Sequence, residues 1–143
     1  MQRKSRSGEM AYHYHQSGYH CAEAVSKAVI EVCGSDSGEH NPKAATAFGG
    51  GVGRSKQEIC GALSGGIIAL GHLFGRCAPD ADWTDASRLA AELKHRFVQE
   101  YGTTNCGALL ATFGPQENML RCKQLSGEVA DMLADIIAEH RNP

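Results

Sequence analysis

At 143 residues, with an apolar content of 42% and a formal net charge of -2, the chain can bury one core without crosslinks and is too balanced in charge to point to nucleic acid or an anionic membrane surface. Its basic run Arg3, Lys4, Arg6 precedes no apolar segment, so no secretory signal is expected, and the longest apolar-looking stretch, GGIIALGHLFG, is too short to span a bilayer. A soluble, cytoplasmic protein is expected. Its six cysteines fall below the roughly 8–10% that marks a disulfide scaffold, so they more often bind metal, react or pack than form permanent bridges.

Residues 8 to 33 carry Cys21, Ala24, Val25, Ala28, Val29 and Val32 at helical spacing, which predicts a helix bent or restarted near Gly18 and stopped by a left-handed Gly34. SDSGEHNP reads as a turn, Pro42 opens a short helical segment PKAATAF, and glycines 49, 50, 51 and 53 form a flexible loop. Ser55 with Glu58 three residues on has the form of a capping box, so the next helix is expected from near Lys56 to about Gly75. Its surface is almost all small or apolar, as in a buried helix, and Gly61, Gly65 and Ile68 share a face where another backbone can come close. Thr84 is expected to cap a helix from about Asp85 to Tyr101, and Thr104 or Asn105 a short helix opening at Cys106. From Gln116 to His140, Met119, Cys122, Leu125, Val129, Met132 and Ile136 predict a long amphipathic helix with Gly127 as a weak point. No run alternates with period two. The fold class is therefore all-α, one domain over 1–143 of about five or six packed helices.

Several motifs are excluded by spacing. The loop GGGVGRSKQ would need Gly in place of Phe48 and Lys in place of Arg54 to be a Walker loop, and Gly in place of Lys56, after a strand, to be a dinucleotide fingerprint. A tight turn with close backbone packing is expected there instead. The seven histidines form no HExxH and the cysteines no CxxCH, so neither a zincin site nor attached haem is indicated. His13, His15 and His20 are expected on a solvated or hydrogen-bonded helix face, His20 being of interest because it precedes Cys21.

Cys21, Cys60, Cys106 and Cys122 are the candidate functional residues. Each falls on the small or apolar face of its predicted helix, where a passive core cysteine would also fall. Their settings favour chemistry. Cys60 and Cys106 both open the tetrapeptide CGAL in or just after the first turn of a helix, where the dipole lowers a thiol pKa and Gly-Ala leaves room for a second sulfur or an iron-sized object. Cys122 lies between Arg121 and Lys123, and Cys21 follows His20, cations that favour a thiolate if they point inward. Cys33, at a helix C-terminus, and Cys77, in a loop, are expected to be incidental.

With HCAEAV around Cys21, CGALSG from Cys60 to Gly65, and the single Cys106 and Cys122, the chain resembles the C_GCAxxG_C_C family, small bacterial and archaeal proteins described as redox-active, over about residues 9–138. The family name spells Gly-Cys-Ala where this chain has Cys-Gly-Ala. The resemblance implies a redox protein without an agreed substrate. The same cysteine pattern is similar to a region of split-Soret cytochromes that holds an iron–sulfur cluster, so the resemblance also implies a possible metal site, without the haem.

Three functions compete. The first is thiol–disulfide redox or electron-transfer chemistry with an unidentified redox partner, in which a low-pKa thiolate, Cys60 or Cys106, attacks and a neighbouring cysteine resolves. The second is a four-cysteine module in which Cys21, Cys60, Cys106 and Cys122 hold an iron–sulfur cluster or zinc. The third is a structural protein with inert cysteines. The first two require the four cysteines to converge; the sequence leaves the oligomeric state open.

Overall fold

The computed structural model describes residues 2–36 and 38–143, with side chains from Arg6 onward. Six α-helices and one 3-10 helix follow in order: α1 (Gln2–Ser17), α2 (Cys21–Cys33), the 3-10 helix (Lys43–Phe48), α3 (Gly61–Phe74), α4 (Thr84–Tyr101), α5 (Cys106–Phe113) and α6 (Leu120–Arg141). The all-α class is as expected, and among the described residues no helix is long and apolar enough to cross a membrane.

The break expected near Gly18 separates two helices. Gly18 has φ +124, and the chain then restarts at α2, where the His20 N–H donates to Glu23 Oε1 at 2.9 Å. Helix α2 is the central element, packed on α3, α1 and α6. Ala24, Val25, Ala28 and Val29 are fully buried, and the last three meet Leu63 and Leu70 of α3, Leu93 and Phe97 of α4, and Val129, Leu133 and Ile137 of α6 in one core. Even the polar side of α2 is enclosed. Lys27 is buried and donates to Glu31 Oε2 at 2.7 Å, Glu39 Oε1 at 3.0 Å and the His40 carbonyl at 2.9 Å, while Tyr14 donates to the other Glu31 oxygen at 2.5 Å. Three further partners around one carboxylate–ammonium pair make such burial tolerable.

Four expectations about helix ends are corrected. Gly34 stops α2 with φ -78, so it is not left-handed; it is small because a Cβ would lie 2.5 Å from the Ile30 carbonyl. Ser55 and Glu58 form no capping box: Lys56 has φ +59, Ser55 Oγ donates to the Gly51 carbonyl, and α3 starts at Gly61 with Cys60 as its N-cap. Thr84 is the first residue of α4 and is held by Asp82, whose Oδ1 accepts from its amide and hydroxyl. Gln116 to Met119 lie outside α6, since Asn118 and Met119 have positive φ and cannot continue a right-handed helix.

Candidate functional site

Every one of the four candidate cysteines sits at the N-terminal end of a helix. Cys21 is the first residue of α2, Cys60 the N-cap of α3, Cys106 the first residue of α5 and Cys122 the third residue of α6. Helix N-termini carry unpaired amides and partial positive charge, a setting that favours a thiolate over a thiol.

The two CGAL repeats are fastened to each other. Ile59 and Asn105 form an isolated antiparallel bridge, in which the Cys60 N–H donates to the Thr104 carbonyl at 2.7 Å and the Cys106 N–H to the Glu58 carbonyl at 2.8 Å. Asn105 locks the junction: its Nδ2 donates to the Gln57 carbonyl at 2.6 Å and its Oδ1 caps α5 by accepting from the Ala108 amide at 2.9 Å. Cys60 and Cys106 are thus held side by side, although 46 positions separate them in sequence.

Cys21 reaches them through the glycines of CGAxxG. The sulfur of Cys21 lies where a Cβ on Gly61 would be, and the Ala22 backbone lies where a Cβ on Gly65 would be. One helical turn separates the two glycines, so α2 and α3 meet backbone to backbone at this corner. Room for a second sulfur was expected beside Cys60, and at Gly61 it is filled by Cys21. After Cys106 the corresponding space, at Gly107, is filled by the Lys56 carbonyl instead.

Cys122 is positioned by a residue the sequence did not single out. Gln116 folds back so that its Oε1 accepts the Cys122 amide at 2.9 Å and its Nε2 donates to Cys122 Sγ at 3.4 Å. The glycine loop supplies the remaining wall. Gly50, Gly51, Val52, Gly53 and Arg54 all have φ between +61 and +72. This turn aims the Gly50 amide at Cys21 Sγ and packs Gly51 so closely on Cys106 that a Cβ there would lie 2.7 Å from the Cys106 Cβ. The expected tight packing turn is therefore also part of the site. The run of glycines was the available signal for Gly50 and Gly51; for Gln116 there was none.

The four thiols lie within reach of one another's charge. Cys60 feels Cys21 and Cys106, Cys21 feels Cys122 and Cys106, and Cys106 feels Cys122. Two tiers result, with Cys60 buried at the floor and Cys21, Cys106 and Cys122 partly covered, Cys21 being more deeply enclosed than Cys106.

The expectation of a low-pKa thiol at Cys60 or Cys106 is overturned. Burial pushes Cys60 up to about 12, with the neighbouring Cys21 adding to the shift, although the Leu63 and Ala62 amides oppose it. Burial likewise raises Cys21 and Cys106. Desolvation of a charge outweighs the helix-end field here. The expected cations also differ. Arg121 is engaged by Glu128 at 3.2 Å and by the ring of Phe113, and the cation that favours the Cys106 thiolate is Lys56. His15, set on a hydrogen-bonded face as expected, bonds Ser126 Oγ at 3.0 Å. Cys33 is buried at the C-terminal end of α2 and Cys77 is exposed in a loop, so neither is part of the cluster.

The metal reading is tested by ligand placement. Among the described residues, no group of three or more His, Cys, Asp or Glu side chains is disposed to hold one metal ion. As placed, the four thiols therefore do not make up the ligand set that an iron–sulfur cluster or zinc needs.

A family model described as "Putative redox-active protein (C_GCAxxG_C_C)" matches residues 19–136, from just before Cys21 to beyond Cys122. The chain belongs to the C_GCAxxG_C_C family. No curated protein and no solved structure matches it. In this member of the C_GCAxxG_C_C family the spaced cysteines that give the family its name are the ones gathered at four helix N-termini.

Proposed function

We propose that the chain is a dithiol–disulfide redox protein in which Cys106 and Cys122 are the working pair and Cys21 and Cys60 form the inner wall of the site. The observation that carries this reading is the convergence of four thiols from four helices; of the three partly exposed ones, Cys21 is the most enclosed, while Cys106 feels the charge of Cys122. Burial favours the neutral thiol at Cys106, and a disulfide carries no charge either, so both forms between which a dithiol cycles suit that position.

The proposed reaction has two steps. The Cys106 thiolate attacks one sulfur of a substrate disulfide, forming a mixed disulfide and expelling the first substrate thiolate. Cys122, held by Gln116, then attacks Cys106 Sγ as its thiolate, forming the Cys106–Cys122 disulfide and expelling the second. The two protons given up by the cysteines go to the two released thiolates, so two electrons and two protons pass from protein to substrate. The reverse sequence reduces the protein with an external dithiol. The redox partner is thus a disulfide or dithiol.

The test is a thiol count before and after mild oxidation, with a visible spectrum and iron and zinc analysis, on protein purified without oxygen. A colourless, metal-free protein that reversibly loses two thiols, mapped to Cys106 and Cys122, supports the reading. A brown, iron-containing protein, bound zinc, or no reversible thiol loss overturns it.

A further inference from the structure

Lys56 is placed with unusual firmness for an exposed surface residue. Its backbone is left-handed, its amide donates to the Gly50 carbonyl at 2.8 Å, and its Cα lies 3.1 Å from where a Cβ on Gly51 would be, the same point that the Cys106 Cβ approaches at 2.7 Å. Its carbonyl, in turn, abuts Gly107. The lysine backbone is thereby fixed against Cys106 and Gly107 on one side and the left-handed turn on the other. Outside the cysteines, the charge that acts on Cys106 sulfur is the Lys56 ammonium. A left-handed Lys carries backbone strain that a glycine would avoid. The neighbouring Arg54, also exposed and left-handed, adds a second cation to the same turn.

We propose that Lys56 is a positioning residue that gives the Cys106 thiol a preference for anionic reagents, so that the disulfide reduced at this site is a small one carrying carboxylates beside its sulfurs. The substrate part rests on the dithiol reading above; the Lys56 part does not, because a fixed cation beside an accessible thiol selects charged alkylating agents whether or not the thiol cycles. Cys106 is partly exposed, which lets such a reagent reach it. Glu58, two residues on from Lys56, is an exposed carboxylate of opposite charge.

The experiment compares iodoacetate with iodoacetamide on the fully reduced protein, following Cys106 by peptide mass mapping. The iodoacetate-to-iodoacetamide rate ratio at Cys106 is expected to fall about three- to tenfold in Lys56→Gln, to be restored in Lys56→Arg, and to collapse towards the Lys56→Gln value in high salt. Lys56→Gly suits the left-handed backbone and removes the charge, so it should show the same loss with an unperturbed fold. A ratio unchanged in Lys56→Gln and Lys56→Gly, or not rescued by Lys56→Arg, overturns the role of Lys56. In parallel, dithiodiglycolate should oxidise the reduced wild type faster than the neutral 2-hydroxyethyl disulfide does, and Lys56→Gln should lose that advantage. Equal rates in the wild type overturn the substrate class. If neither disulfide oxidises the protein while the alkylation ratio still responds to Lys56, the dithiol reading fails and the positioning role stands.

Discussion

The Cys21 sulfur occupies the place that a side chain on Gly61 would need, and one turn further along α3 the Ala22 backbone does the same at Gly65. Glycine at these two positions is a packing requirement, because helix interiors otherwise disfavour it by about 1 kcal/mol relative to alanine. Gly65→Ala should therefore force α2 from α3 and destabilise the protein by roughly 2–4 kcal/mol. Gly71, on the same helix with nothing within 4 Å of its would-be Cβ, provides the control. Gly71→Ala should stabilise by up to about 1 kcal/mol. Urea denaturation of the two variants checks the contrast, and similar effects at both sites would contradict it.

The left-handed turn over Cys106 contains a β-branched residue, Val52 at φ +66, with 40% of its surface exposed. Such a residue has little packing to lose and considerable backbone strain to relieve. Val52→Gly should raise the melting temperature modestly, by roughly 0.5–1 kcal/mol of stability, with no change in thiol count. Gly51→Ala should do the reverse, lowering stability and displacing Cys106, since it combines a left-handed φ of +72 with a Cβ only 2.7 Å from the Cys106 Cβ. Melting curves with parallel thiol titration separate these outcomes.

Acid should weaken the fold through His15. Burial, with Lys123 and His20 adding their charge, lowers its pKa from 6.5 to about 4. The unfolded chain then binds more protons than the folded one between these values, so this contribution is complete above pH 6.5 and declines as pH falls towards 4. After allowance for solvent screening of a partly covered ring, the loss is on the order of 1–2 kcal/mol. His15→Gln should flatten stability against pH across that window, measured by denaturant midpoints at pH 4, 5, 6 and 7. An unchanged slope would assign the acid sensitivity elsewhere.

Alkali should act on the cysteines with the opposite sign. Cys60 ionises near 9.0 when unfolded and is pushed up to about 12 when folded, chiefly by burial. Its contribution to stability is fully present below pH 9.0 and is lost progressively as pH rises from there towards 12. Cys60→Ala should reduce that alkaline decline while leaving a small cavity. Alkylation should meanwhile modify exposed Cys77 long before Cys60.

Lys27 and Glu31 form a pair whose side chains are 3% and 8% exposed. Removing only the cation leaves a carboxylate buried against Tyr14 and the His40 amide, so Lys27→Met should cost about 3–5 kcal/mol. The double variant Lys27→Met with Glu31→Leu should recover much of that loss. A double variant as unstable as the single one would show that the polar network itself, including Tyr14, holds the first helix in place.

The class of fold was legible because the periodicity of Val25, Ala28 and Val29, or of Leu125, Val129 and Ile136, has one physical reading. The helix ends were less legible. Ser55 and Glu58 match a capping box in letters, yet the left-handed run from Gly50 to Arg54 carries the chain past them before α3 can start. The neighbours of the four cysteines were enough to single them out as candidates, but their ionisation was not readable, because depth of burial is a property of the assembled helices. Likewise Gln116 and Lys56 gain their roles only from chain reversals that bring them to Cys122 and Cys106.

Helix α1 packs most extensively on α6, and the Gly8 amide donates to Asp131 Oδ1 at 2.8 Å across 123 positions of chain. Helix α1 thus cannot complete its packing until α6 has been made. Cys122 lies on the same helix, so the Cys106–Cys122 disulfide proposed above can close only after the start of α6 has been made. Until then Cys21, Cys33, Cys60 and Cys77 are available to pair wrongly with one another. Thiols kept reduced during synthesis would avoid those mispairings.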